Sequence, residues 1–346
     1  MTPVIQEDTI IPPYNQQQVM SYGDSCIVNT PIPQRYKNDV LHPSVVYIST
    51  GFGGHKWWMV QSPYYNCSGP IENPIIYYAD ETIDGSAPKI WIPAMDNAVI
   101  DAPTWGYNSD PNLFYENGKL WLLWRENDTE DCRKNNYRRA VFGISSTDGV
   151  TWDPSAKKLF MGARTLNYDS AMCPILIKDN DVYKVYASNF EFQPNRISLG
   201  LAIWTGHSLE NPDFKVQGIY PIYCNNSYYQ PWHFDILKYY GKYYMILQTR
   251  ESNGNISLGE SNDGKNFQIL PKPLIVQDCK HFGIYKPTGV IKDGILYVYY
   301  TIKDVYDFNH NKLYVTKISM KSAVFDAFDY SYKRSKFTTN IRFRED

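Results

Sequence analysis

Long apolar runs are missing: no stretch of this 346-residue chain approaches the roughly 20 residues that carry a helix across a bilayer, so a helix-spanning membrane protein is excluded. The opening MTPVIQEDTIIPPYNQQQ lacks the basic start and apolar core of a secretory signal, so export would have to use another route or none. A basic excess is also missing. With 34 Lys and Arg against 36 Asp and Glu the net charge is −2, which argues against nucleic acid as a partner. The six cysteines, Cys26, Cys67, Cys132, Cys173, Cys224 and Cys279, include no CxxC pair. Neither a zinc ribbon nor a disulfide framework is signalled, and free structural thiols are expected. Four Asn-x-Ser/Thr sequons, at Asn66, Asn127, Asn225 and Asn255, are what chance places in a chain rich in Asn and Ser.

What the chain has is repetition. A polar residue, a short apolar stretch, a tight turn and an aromatic-rich stretch recur in LHPSVVYISTGFGGHKWWMV (41–60), NSDPNLFYENGKLWLLW (108–124), MCPILIKDNDVYKVYA (172–187), WHFDILKYYGKYYMIL (232–247) and YKPTGVIKDGILYVYY (285–300). The anchors Pro43, Pro111, Pro174, Phe234 and Pro287 are offset by 68, 63, 60 and 53 residues. A period of this size built from strands predicts propeller blades. Asn117-Gly118 and Asp293-Gly294 supply the positive φ of a type I′ hairpin turn, with Asn180-Asp181 and Tyr240-Gly241 in the matching places. Third apolar runs such as AVFGISS (140–146) and ISLGES (256–261) lead into the hairpins STDGVTW (146–152) and SNDGKNF (261–267). Four strands in each of five units predict an all-β, five-bladed propeller whose first strands line a central channel. A propeller closes only as a ring, so residues 1–346 are expected to form one domain. The blades are placed at about 41–95, 106–158, 170–217, 231–274 and 284–328. The lead-in 1–40 is expected to supply an outer strand that closes the ring. The tail 329–346 reads as the closing strand or an oligomer contact.

Propeller geometry gathers the starts of the innermost strands and the ends of the second strands on one rim. One residue before each anchor stand His42, Asp110, Cys173, His233 and Lys286, with Asp235 two places beyond His233. The ends of the second strands bring Arg125 and Glu126, Asn189 and Glu191, Arg250 and Glu251, and Lys303 and Asp304, while Glu72, Arg138, Arg139 and Arg196 open the third-strand regions. Carboxylates, imidazoles and arginines near one axis, set among Tyr and Trp, are the groups that grip a polyhydroxylated ring. Most of those aromatics belong to blade packing, and Arg125-Glu126 and Arg250-Glu251 read equally well as salt bridges between blades.

The segment NSDPNLFYENGKLWLLW resembles the Asp-Pro strand of the five-bladed glycoside hydrolases of families 43 and 32. That resemblance implies a glycoside hydrolase-like activity on a poly- or oligosaccharide, with Asp110 facing the sugar. AMCPIL (171–176) is similar to the Glu-Cys-Pro motif of family 32, but Met172 stands where that family's acid does, and His42-Pro43 occupies the place of the clan's Asp. The catalytic candidates are therefore Asp110 with Glu126, Glu191 or Glu251, and the substrate-binding candidates His42, Arg125, Asp169, His233, Asp235, Arg250 and Lys286. No cofactor is implied, although a divalent ion such as calcium at His42, His233 or Asp110 is compatible with the pattern. The segments HPSVVY, KWWMVQSPYY and ENP also look like propellers of phage tail and prophage proteins. Hence the alternative reading is a non-catalytic glycan-binding, receptor-recognition module, attached to a phage assembly or forming a homo-oligomer.

Overall fold

The computed structural model describes residues 20–21, 25–28, 30, 41–64, 69–163, 168–191, 198–224, 227–249, 255–276, 282–304 and 311–320. They form five sheets arranged as blades around one axis, antiparallel but for one parallel bridge between Tyr223 and Gln268. The innermost strands are Leu41–Phe52, Tyr107–Glu116, Tyr168–Asp179, Pro231–Tyr239 and Phe282–Lys292, and each contacts the next so that the fifth returns to the first. Each pairs with a second strand, four of them through the tight turns read from the sequence: Asn117, Asn180, Tyr240 and Asp293 all have positive φ, between 45° and 56°.

Burial explains why the second strands are so aromatic. Each is covered on both faces, so alternate residues enter different cores. Trp57 and Met59 pack between the fifth and first blades, while Trp58 and Val60 pack between the first and second. The described residues form five such clusters, one at each blade boundary. In the second blade, Ser146 and Asp148 shape the turn before the outer strand: Gly149 N donates to Ser146 Oγ at 2.8 Å, and Thr151 N to Asp148 Oδ1 at 2.7 Å. Ser261 and Asp263 repeat these bonds in the fourth. Cys132, Cys173 and Cys224 are free thiols.

The ring is closed by the lead-in. Ser25–Ile27 pairs antiparallel with Lys312–Ser319, giving the fifth blade its outer strand, and Met20–Ser21 pairs with Ile275–Val276 on the fourth. The C-terminal tail, for which an alternative closing role was expected, lies outside the described residues.

Inside the channel, the residue after each anchor ties its blade to the next. Asp235 accepts from Gly289 N, Thr288 from Val45 N, Ser44 from Leu113 N and Asn112 from Leu176 N, at 2.9–3.2 Å. Ile175 interrupts this series. The series accounts for Asp235, expected to bind substrate: its carboxylate also accepts from Thr288 Oγ1 at 2.7 Å and Ile236 N at 2.8 Å, and works as a blade tie.

Candidate functional site

Each innermost strand carries a shift in register at its start, between Leu41 and Ser44, Ser109 and Asn112, Met172 and Ile175, Pro231 and His233, and Tyr285 and Thr288. His42, Asp110, Cys173 and Lys286 sit within four of these bulges at φ 55°, 50°, 54° and 36°. A bulge re-aims a side chain and tolerates proline, which lacks a donor for the ladder. The X-Pro pattern is the sequence trace of that device, and His233-Phe234 lacks both the proline and the positive φ.

The bulges bring three of the predicted residues together. His42 Nε2 lies 3.7 Å and His233 Nδ1 3.6 Å from Asp110 Oδ1, all three side chains being buried. With them a cavity of about 320 Å³ is lined by Tyr64, Gly69, Pro70, Glu72, Tyr107, Ser109, Arg125, Met172, Trp232 and Tyr285. Arg125 Nε stands 3.4 Å from Asp110 Oδ2, and its Nη2 donates to Ser109 Oγ at 3.3 Å. Tyr285 stacks edge-on over His233 at 4.5 Å and tilts against His42 at 5.4 Å. Lys286 does not line the cavity. It crosses the channel from the fifth blade to the second, where Nζ donates to Pro111 O at 3.1 Å and lies 3.9 Å from Asp110 Oδ1.

One participant was named only as a rim group. Glu72, entering from the turn Gly69–Ile71, places Oε1 2.5 Å from His42 Nδ1 and accepts from Ser109 Oγ at 2.8 Å. Glu126, the expected acid partner, turns the other way. Trp124 Nε1, Thr129 Oγ1 and Lys157 Nζ hold its carboxylate beside the helix Glu130–Lys134, away from the cavity lining. Asp169 and Glu191 fall on strands of the third blade whose side chains here are not among those described, and Arg196, Arg250 and Glu251 lie outside the described residues.

The environment separates the two cavity carboxyls. Burial raises the Asp110 pKa, but Arg125, His42, Lys286 and His233 outweigh it and hold that carboxyl well below the usual range. Burial, reinforced by the Asp110 charge, pushes Glu72 well above it. Burial also keeps His233 well below the ordinary imidazole value, hence neutral near pH 7. Cys173, in the place of a third rim group, is an inert buried thiol pushed up to about 12.

His42, Asp110 and His233 offer one donor atom each within 4.8 Å of one another. Among the described residues, Asp110 Oδ1 and both ring nitrogens of His233 have no hydrogen-bond partner. Separations of 3.6–3.7 Å are too long for hydrogen bonds, yet close to the about 3.4 Å between two ligands that share an ion at 2.0–2.2 Å. The donor set therefore fits a divalent metal. Two imidazoles suit zinc, iron or nickel better than the all-oxygen preference of calcium.

No protein-family model matches the chain, and no curated protein matches it. Among solved structures, an N-acetylgalactosamine deacetylase from F. plautii, in complex with blood group B trisaccharide, covers 89% of this chain and 98% of its own, at TM-score 0.67 and 16% identity. A family 43 beta-xylosidase/alpha-arabinofuranosidase from a compost microbial metagenome covers 87% and 95%, at TM-score 0.59 and 13% identity. The Bacillus subtilis arabinanase Arb43A covers 81% and 95%, at 0.53 and 16%. At such identities the likeness is one of fold: the chain has the propeller of the family 43 glycoside hydrolases.

Proposed function

We propose that this chain is a carbohydrate-active hydrolase that removes an acyl substituent, such as an N-acetyl group, from a sugar held in the rim cavity. The observation that carries the reading is the cluster of His42, Asp110 and His233, whose donor atoms lie within 4.8 Å of one another, with His42 in the place of the clan's Asp. A divalent ion held there would polarise the acyl carbonyl and acidify water. The chain's own groups fit the remaining tasks. Glu72 holds the His42 ring by Nδ1, which leaves Nε2 turned toward Asp110. Its raised pKa also makes it the proton source for a departing amine. Trp232 and Tyr285 offer aromatic faces to the sugar ring, and Met172 offers an apolar wall to the acyl methyl. Similarity to a deacetylase in fold supports the reaction class.

Cleavage of a glycosidic bond is the second reading, favoured by the opposed shifts of Asp110 and Glu72, which assign the one as base or nucleophile and the other as acid. Incubation with N- and O-acetylated oligosaccharides and with xylo- and arabino-oligosaccharides, assayed for both acetate and reducing ends, separates the two. Acetate without new reducing ends is the expected result. New reducing ends without acetate would support the second reading. Glycan retained with neither product would leave a binding module, the role that attachment to a phage assembly requires.

A further inference from the structure

The charges around the cavity do not suit a divalent cation alone. Arg125 and Lys286 place two fixed positive charges 3.4 and 3.9 Å from Asp110. Even with Asp110 and Glu72 both ionised these four groups cancel, and the two charges of an arriving ion stand uncompensated beneath a buried rim. Among the described residues the next carboxylate down the channel, Asp235, already accepts from Thr288, Gly289 and Ile236. Compensation has to come from the open side of the cavity, where Arg125 lines the wall.

We infer that the centre is a joint site, binding a divalent metal together with a small carboxylate anion that bridges the ion and the Arg125 side. The inference rests on the acyl-hydrolase reading above, in which acetate is the departing product and the reacting carbonyl oxygen gathers negative charge at the same place. Metal and anion then bind cooperatively, and each raises the affinity of the other by the same factor. Lys286 sets the strength of that coupling without touching the anion, because its charge is fixed below Asp110 by the bond to Pro111 O.

Calorimetric titration of zinc into the metal-free protein, in a buffer of poorly coordinating anions, tests this with and without about 10 mM acetate. Acetate should tighten zinc binding at least tenfold, and zinc should tighten acetate binding by the same factor. Glucuronate in place of acetate tells a sugar-borne carboxylate from the free product. Either probe giving the effect supports the joint site, and the tighter one names its source. Lys286→Met and Arg125→Gln should each bind zinc alone more tightly than the wild type and reduce the anion effect to less than threefold. Two variants are used because Lys286→Met also strips a donor from Pro111 O. Zinc that binds well but indifferently to both anions, or a coupling unchanged in both folded variants, overturns the inference and leaves the metal reading standing. Zinc that binds under no condition removes the metal reading itself, and the joint site with it.

Discussion

Asp110 is the residue on which the rim charges depend, since Arg125, Lys286, His42 and His233 all lie within 4 Å of its carboxylate. Asp110→Asn keeps the shape and tolerates the positive φ, but removes the buried charge that Arg125 and Lys286 face. It should abolish turnover and cost about 3–5 kcal/mol, as breaking a buried pair from one side does. Adding Lys286→Met should restore at least about half of that stability and none of the activity, which urea denaturation and acetate release would read separately. Glu72 has the opposite pH signature. Its folded-state pKa lies above the unfolded value of about 4.3, so ionising it favours unfolding and stability falls as pH rises above that value. Glu72→Gln removes this penalty. Its melting temperature relative to wild type should climb between about pH 4.5 and the folded-state pKa, and thermal melts across pH 4–8 would show a flat difference if Glu72 were not buried and shifted.

At the scale of strands and turns, much was legible because the signals are local. A bulge needs a residue willing to take positive φ and a neighbour that gives up its ladder bond, and His42-Pro43, Asp110-Pro111, Cys173-Pro174 and Lys286-Pro287 spell this out. The hairpin dipeptides did the same for the turns. Which carboxylate reaches the cavity was not legible. Glu126 leaves the second strand beside Asp110, yet Thr129 and Lys157 draw it away. Glu72 arrives from the short 3-10 turn Gly69–Ile71, so its contact with His42 depends on a loop path and not on period. Turn packing between blades also sets tolerance to change. Gly149 has φ +80°, and a Cβ there would fall 2.2 Å from the Trp58 ring of the neighbouring blade. Gly149→Ala should therefore cost about 2–4 kcal/mol in equilibrium denaturation, strain and overpacking together.

For the whole molecule, five interface cores mean that no blade buries its aromatics alone. The expectation of one domain over residues 1–346 predicts a single cooperative unfolding transition in calorimetry. Two resolved transitions would contradict it. Removing residues 1–27 should lower the melting temperature and promote association, because the edge of Lys312–Ser319 is then bare.

That pairing joins two segments made far apart in time. Ser25–Ile27 leaves the ribosome well before Lys312–Ser319 exists, an interval of roughly 15–60 s at common elongation rates. Throughout it the nascent chain carries an unsatisfied strand ahead of an unfinished arc. The fifth blade thus completes itself with residues translated before the first blade, and the ring closes only after Lys312–Ser319 has emerged.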